Sequence, residues 1–420
     1  MRITSGKVPI PDNIGEMSEI SGVAGEADPI DPPLPIPDVP GGDASVHGLP
    51  PRSALSVRQR LVVEASAIGD LALRTSASSL LSATVAPAVV RANLCRANSG
   101  DERTNLRFYA ELGTEHDPRK SFPAPTESPK IVSRRASPVA ERIARGTVDN
   151  ISFASGFRAI NPAMRRQWSS LSANNTVHAQ HWRHDDGPRP TLCVIHGFMG
   201  SSYLFNGLFF SLPWYYRSGY DVMLYTLPFH GKRAEKFSPF SGFGFFANGL
   251  SGFAEAMAQA VHDFRSVVDY LQNTGVERVA LTGLSLGGYT SALVASVDDR
   301  LEAVIPNCPV VMPGKLFDEW FPANTLMKLG MRLSSISGTE LTAGLAYHGP
   351  LNYRPLLSRD RRMIITGLGD RMAPPEHAVS LWEHWDRCAL HWFPGSHVMH
   401  VSQLDYLRRM TPFLHRFMFE

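Results

Sequence analysis

Arg278-Val279-Ala280-Leu281-Thr282-Gly283-Leu284-Ser285-Leu286-Gly287-Gly288-Tyr289-Thr290-Ser291-Ala292 decides how this chain is read. It opens with a short apolar run over 279–282. It turns through G-x-S-x-G at 283–287 and continues into a helix-compatible run, Gly288 to Val294. Strand, tight turn and helix are the context a nucleophile elbow requires. The glycines have a mechanical reason. A serine on a sharp, strained turn leaves no room for Cβ atoms two residues before and two after it. Such a turn lifts the Ser285 hydroxyl clear of the sheet. It also points the Leu286 N–H and the helix N-terminus at a developing oxyanion.

Upstream, Leu192 to Ile195 reads as a strand ending in His196-Gly197-Phe198-Met199-Gly200. Such a loop can supply a second N–H to an oxyanion, assigned to Phe198 with Met199 as the alternative. Downstream, Met363-Ile364-Ile365 is strand-like and ends in Gly367-Leu368-Gly369-Asp370. Cys388 to Phe393 forms the last short strand, followed by Pro394-Gly395-Ser396-His397. Between these signals, Gly249 to Gln272 is the clearest helix. Leu250, Phe253, Met257, Val261, Phe264, Val268 and Leu271 keep a three-to-four-residue spacing. Strands alternating with helices imply a parallel sheet.

From about Thr147 to Glu420 the chain resembles the α/β-hydrolase superfamily. The resemblance rests on His196-Gly197-Phe198, Gly283 to Gly287, Gly369-Asp370 and Gly395-Ser396-His397, which fall in the order serine, acid, histidine. It implies an α/β fold with a mostly parallel eight-stranded sheet, helices on both faces and a cap insertion. It implies Ser285 as nucleophile, His397 as its base and Asp370 as the acid that holds the base's tautomer. Phe198 and Leu286 would form the oxyanion hole. His391, His400 and Glu376 are the nearby rivals, and His230 reads as a loop residue. The implied activity is that of a serine hydrolase cleaving a carboxylic ester or thioester, without cofactor or metal, through an acyl-enzyme. Amide cleavage, acyl transfer by the same triad, and a non-catalytic binding role for the fold stay open. A dehalogenase would need Asp at position 285.

Two apolar stretches bear on the substrate. One is Phe-rich, 237–246. The other is an insertion at about 312–357 with partly helical spacing, which reads as a cap. Phe245 and Trp320 are the substrate-binding candidates, and a hydrophobic acyl group is the expectation.

Residues 1–51 are rich in Pro, Gly, Asp and Glu and read as a disordered tail. Residues 52–145 read as a helical extension and linker, and 146–420 as the catalytic domain. In the extension Leu61, Val62, Ala65, Ile68, Leu71 and Leu73 lie near helical spacing, and Pro87 marks a break. Glu64, Asp70 and Arg74 interrupt that stripe, so it is not a membrane span. It is expected to pack on the catalytic domain, with a peripheral membrane contact as the alternative.

A formal net charge of +2 with no long basic run gives no sign of a nucleic-acid partner. No apolar run is long enough for a transmembrane helix, and the N-terminus lacks the apolar core of a secretory signal. Cys95, Cys193, Cys308 and Cys388 show no metal spacing. A cytoplasmic protein acting on a small-molecule ester or thioester is the expectation. No sequence feature assigns an oligomeric state.

Overall fold

The computed structural model describes residues 49–50, 52–95, 102–200, 202–400 and 403–420. The expectation of a disordered tail, residues 49–50 apart, lies outside the described residues. In chain order the main elements are α1 (Val57–Cys95), α2 (Glu102–Thr114), β1 (Val132–Arg135), β2 (Thr147–Ala154), β3 (Thr176–Arg183), β4 (Thr191–Ile195), β5 (Asp221–Tyr225) and α3 (Gly249–Asn273). Then come β6 (Val279–Leu284), α4 (Leu286–Val294), β7 (Leu301–Asn307), α5 (Pro313–Glu319), α6 (Ala323–Leu333), α7 (Gly338–Ala346), β8 (Met363–Gly367), α8 (Pro375–His384), β9 (Ala389–Phe393) and α9 (Gln403–Met418).

Strand periodicity explains the layers. In β4, Leu192 and Val194 pack into one apolar cluster, with Val222, Ile305 and Leu414. Cys193 and Ile195 point the other way, into a cluster with Met257, Val261 and Leu381. Both faces of the strand are therefore covered, which is why it reads as an unbroken apolar run.

The sheet order is β1-β2-β3-β5-β4-β6-β7-β8-β9. The six strands β4 to β9 run parallel, and β1 to β3 form an antiparallel flank. β4 lies between β5 and β6. The chain moves from β4 to β5 on one side, then crosses through α3 to β6 on the other. The loops leaving β4 and β6 diverge there, and the crevice at such a reversal is where sheets of this kind bind ligands.

Two expectations are corrected. The sheet has nine strands among the described residues, not eight. The extra one, β1, lies inside the stretch read as linker, and all four of its residues are exposed. An edge strand without a buried face leaves no alternation to read. Second, α1 passes through Pro87 instead of breaking there. A proline removes one ladder bond, and helices often bend at it and continue.

The insertion between β7 and β8 is helical, as its spacing suggested, and consists largely of α5, α6 and α7. The N-terminal extension packs on it. α1 lies against α6, and α2 against α7 and α3. No helix among the described residues is long and apolar enough to cross a membrane.

Candidate active site

Ser285 occupies the turn between β6 and α4 with φ 56° and ψ −112°, a conformation L-residues rarely adopt. Its surroundings hold it there. Its N–H donates to Asn307 O at 2.9 Å, and its carbonyl accepts from Tyr289 N at 2.8 Å. A Cβ on Gly283 would lie 2.4 Å from Gly287 O, and one on Gly287 would lie 2.1 Å from Ile195 O. Both glycines therefore answer to backbone that cannot rotate away. Gly287→Ala is expected to cost at least about 3 kcal/mol, the upper end for overpacking. A lowered urea midpoint would report it. A midpoint equal to wild type would mean that β4 and α4 can separate freely.

The turn after β4 comes up against Ser285. A Cβ on Gly197 would lie 3.5 Å from Ser285 Cβ. Gly197 O accepts from Gly200 N at 3.0 Å and from His196 Nδ1 at 2.8 Å, and Met199 takes φ 64°. Phe198, inside this turn, sets its ring edge-on to Phe246 at 5.1 Å and His230 at 5.8 Å. Leu286 is the first residue of α4.

Asp370 and His397 leave the ends of β8 and β9 and meet. His397 Nδ1 donates to Asp370 Oδ2 at 2.7 Å, with both side chains buried. Asp370 Oδ1 accepts from Met372 N at 2.9 Å and Ala373 N at 2.7 Å. This fixes the carboxylate and leaves Nε2 as the ring nitrogen able to take a proton. Burial disfavours the His397 imidazolium, but the carboxylates of Asp370 and Asp70 outweigh it and hold its pKa above the ordinary value. Burial pushes the Asp370 carboxyl up, against the pull of His397.

β7 bridges the two halves. Asn307 O holds the Ser285 N–H, and the next residue's N–H, Cys308, donates to Ile365 O at 2.8 Å on β8. The side-chain donor atoms of Cys308, Asp370 and His397 lie within 4.8 Å of one another. Burial raises the Cys308 thiol, which keeps it protonated, and Asp370 already accepts three N–H groups. The chemistry of this trio is that of a hydrogen-bonded acid–base pair with a neutral thiol beside it, not a metal cradle. No hydrogen bond joins Ser285 Oγ to His397 among the described residues. Such contacts are often long before substrate binds.

The rivals are placed elsewhere. Glu376 is exposed in the first turn of α8. Burial lowers both His391 and His400 to about 4, and His400 Nε2 bonds the His397 carbonyl at 3.2 Å. His230 is buried, with Nδ1 on Pro228 O at 2.7 Å.

The substrate candidates divide. Trp320 is half-buried at the end of α5, and its Nε1 donates to Met372 O at 3.2 Å, two residues past Asp370. Phe245 lies deeper. It is fully buried between Phe229, His230 and Phe253 and lines no open surface. Its half-buried neighbour Phe246 touches Phe198, Phe253 and Phe317, making an aromatic wall from the β4 turn to α5. Within one helical turn, successive side chains point about 100° apart, and composition alone does not say which faces out.

The sequence reading missed Asp70. This α1 residue is 1% exposed. Its Oδ2 accepts from His397 N at 2.8 Å and Arg371 N at 3.1 Å, and its Oδ1 accepts from Ser396 Oγ at 2.8 Å. A charged residue in an otherwise apolar helical stripe was the available signal.

Comparison with known proteins agrees with this architecture. Residues 190–365 match the family model of the alpha/beta hydrolase fold. An uncharacterized protein of Mycobacterium tuberculosis strain H37Rv is 30% identical over 304 residues, 71% of this chain and 70% of that one. The acetyl xylan esterase of Paenibacillus sp. R4 superposes with a TM-score of 0.51 at 14% identity, covering 76% of this chain and 96% of that one. Acetyl xylan esterase 1 of Thermoanaerobacterium sp. JW/SL YS485 gives 0.51 at 15% identity, covering 77% and 95%. With its sheet order, its strained serine turn and these matches in agreement, the chain belongs to the α/β-hydrolase fold family.

Proposed function

We propose that the protein is a serine hydrolase that cleaves a carboxylic ester or thioester with a hydrophobic acyl group. The observation that carries this reading is the buried His397–Asp370 hydrogen bond, 2.7 Å long, across β7 from the strained Ser285 turn. Ser285 Oγ attacks the substrate carbonyl while His397 Nε2 takes its proton. The oxyanion that forms accepts hydrogen bonds from the Leu286 and Phe198 N–H groups. Collapse breaks the acyl–oxygen or acyl–sulfur bond, and His397 returns its proton to the leaving group. Water then attacks the acyl-enzyme by the same route and frees Ser285. Buried free thiols at Cys193, Cys308 and Cys388 support a reducing, cytoplasmic setting.

The aromatic wall of Phe198, Phe246 and Phe317 supports the acyl preference, and Trp320 follows Phe317 at the end of α5. Each CH₂ moved from water into such a wall contributes about 0.8 kcal/mol. The kcat/KM of p-nitrophenyl acetate, butyrate, hexanoate and octanoate is therefore expected to rise roughly three- to fourfold per methylene until the wall is covered. Phe246→Ala and Trp320→Ala should flatten the rise. A series that is flat in wild type and in both variants would remove the hydrophobic-acyl reading and leave a hydrolase of small esters.

A further inference from the structure

The N-terminal helix α1 lies outside the matched family segment, yet it is wedged against both loops that carry the acid and the base. Its approach is close. A Cβ on Gly369 would lie 2.7 Å from Val63 O and 2.8 Å from Ser66 Oγ, so the helix backbone rests on the residue before Asp370. One helical turn on, the Asp70 carboxylate bonds Arg371 N, just past the acid, and both Ser396 and His397 N. Arg74 Nη1 then donates to Arg371 O at 2.8 Å and lies 3.6 Å from Glu319 of α5. After one more turn, Ser78 Oγ donates to Trp320 O at 2.9 Å and accepts from Ala323 N at 3.0 Å. Residues 66, 70, 74 and 78 repeat every four, so one face of α1 meets the acid loop, the base loop and the insertion in succession.

We propose that Asp70 is a positioning residue of the active site, and that α1 is an integral part of the catalytic machinery, because one buried carboxylate pins the backbone of the acid loop to that of the base loop. The proposal rests on Ser285, Asp370 and His397 being the triad. The carboxylate is suited to this task because it accepts three hydrogen bonds, from Arg371 N, His397 N and Ser396 Oγ. A misplaced base is expensive in rate. A shift of about 1 Å in a catalytic group can cost about 10²-fold.

Asp70 also acts on His397 through its charge. The groups facing this histidine are Asp370 from the β8 loop, Asp70 from α1, His377 from α8, and His400 from its own loop, with Cys308 beside the pair. Arg74 and Arg371 flank Asp70. Burial keeps His377 and His400 neutral, each lowered to about 4. The Asp70 charge favours the imidazolium, so removing it should lower the pKa of His397. The base works unprotonated. The acid limb of the rate profile should therefore move to lower pH without that charge.

The test compares four full-length proteins: wild type, Asp70→Ala, Asp70→Asn and Ser78→Ala. Three readouts are taken: ester hydrolysis across pH, labelling of Ser285 by a fluorophosphonate, and amide exchange of the peptides holding 371 and 396–399. In Asp70→Ala, kcat is expected to fall about 10²-fold, with KM little changed and faster exchange in both peptides. In Asp70→Asn the amide oxygen can still accept from the two N–H groups, and Ser396 Oγ can turn to accept from the new NH₂. This variant should lose less kcat than Asp70→Ala while its acid limb moves to lower pH. Ser78→Ala loosens α1 from the insertion and should lower the melting temperature without moving that limb. An Asp70→Ala enzyme with wild-type kcat and exchange, or an Asp70→Asn enzyme with an unmoved limb, would overturn the proposal. If Asp70→Ala fails to fold, the limb in Asp70→Asn decides. If wild type neither hydrolyses esters nor labels at Ser285, the triad reading falls. The exchange data then judge the pinning alone.

Discussion

Ser285→Ala is expected to lower kcat by about 10⁶, leaving a residue of rate from oxyanion binding alone. The size follows from the chemistry. Without the hydroxyl no acyl-enzyme forms, and water would have to attack in the first step from a site shaped for a side chain. The loss should be confined to chemistry. Position 285 holds its strained φ through backbone bonds to Asn307 and Tyr289, which alanine keeps. Melting temperature should therefore change little. Intact mass after fluorophosphonate treatment gives the second measurement. Wild type should gain one adduct and the variant none. An adduct that persists on Ser285→Ala, or active wild type that takes none, would move the nucleophile elsewhere.

Asp370→Asn is the second large effect, about 10⁴ in kcat by analogy with serine-protease triads. Three N–H groups converge on this carboxylate, from Met372, Ala373 and His397. An asparagine keeps one acceptor and turns an NH₂ towards the rest. If its oxygen stays on the two backbone donors, its NH₂ faces His397 Nδ1, which must then accept. The proton moves to Nε2, the atom that should receive the serine proton, and the base is held in the wrong tautomer. The variant should still bind substrate with an ordinary KM. Glu376→Gln is the control, since that side chain is exposed on α8. A crippled Glu376→Gln beside a nearly normal Asp370→Asn would reassign the acid.

What was legible in the sequence was short-range. The G-x-S-x-G turn declares itself because its residues are consecutive, although the constraint on Gly287 comes from β4. Gly283 and Gly287 are there for Gly287 O and Ile195 O, and no other residue type fits. Asp370 and His397 could be placed because each follows an apolar strand-like run by a few residues. The α3 stripe was legible too, but only on its apolar side. Glu255, Gln259 and Asp263 are also buried, at four-residue spacing. They bond Tyr109, Trp168 and Arg233 respectively. Periodicity finds apolar faces, and a buried polar face looks like a wet one until its partners are known. Asp70 was hidden for the same reason. Its partners stand 301 to 327 residues away, and a lone carboxylate in a helical stripe reads as an interruption. Phe245 and Phe246 could not be told apart because both are equally apolar, and the fold alone decides which one faces out.

The separation between Asp70 and His397 also sets an order of events during synthesis. They are 327 residues apart. At translation rates of about 5–20 residues per second, the segment carrying Asp70 waits roughly 15–65 s before the base loop has even been made. Until then the α1 face that will rest on Gly369 lacks that partner. A helix made before the sheet is thus docked on the 369–371 and 396–397 loops late, and a chain cut short after β8 holds Ser285 without His397. The His397–Asp370 pair forms only once β9 and the loop after it are complete.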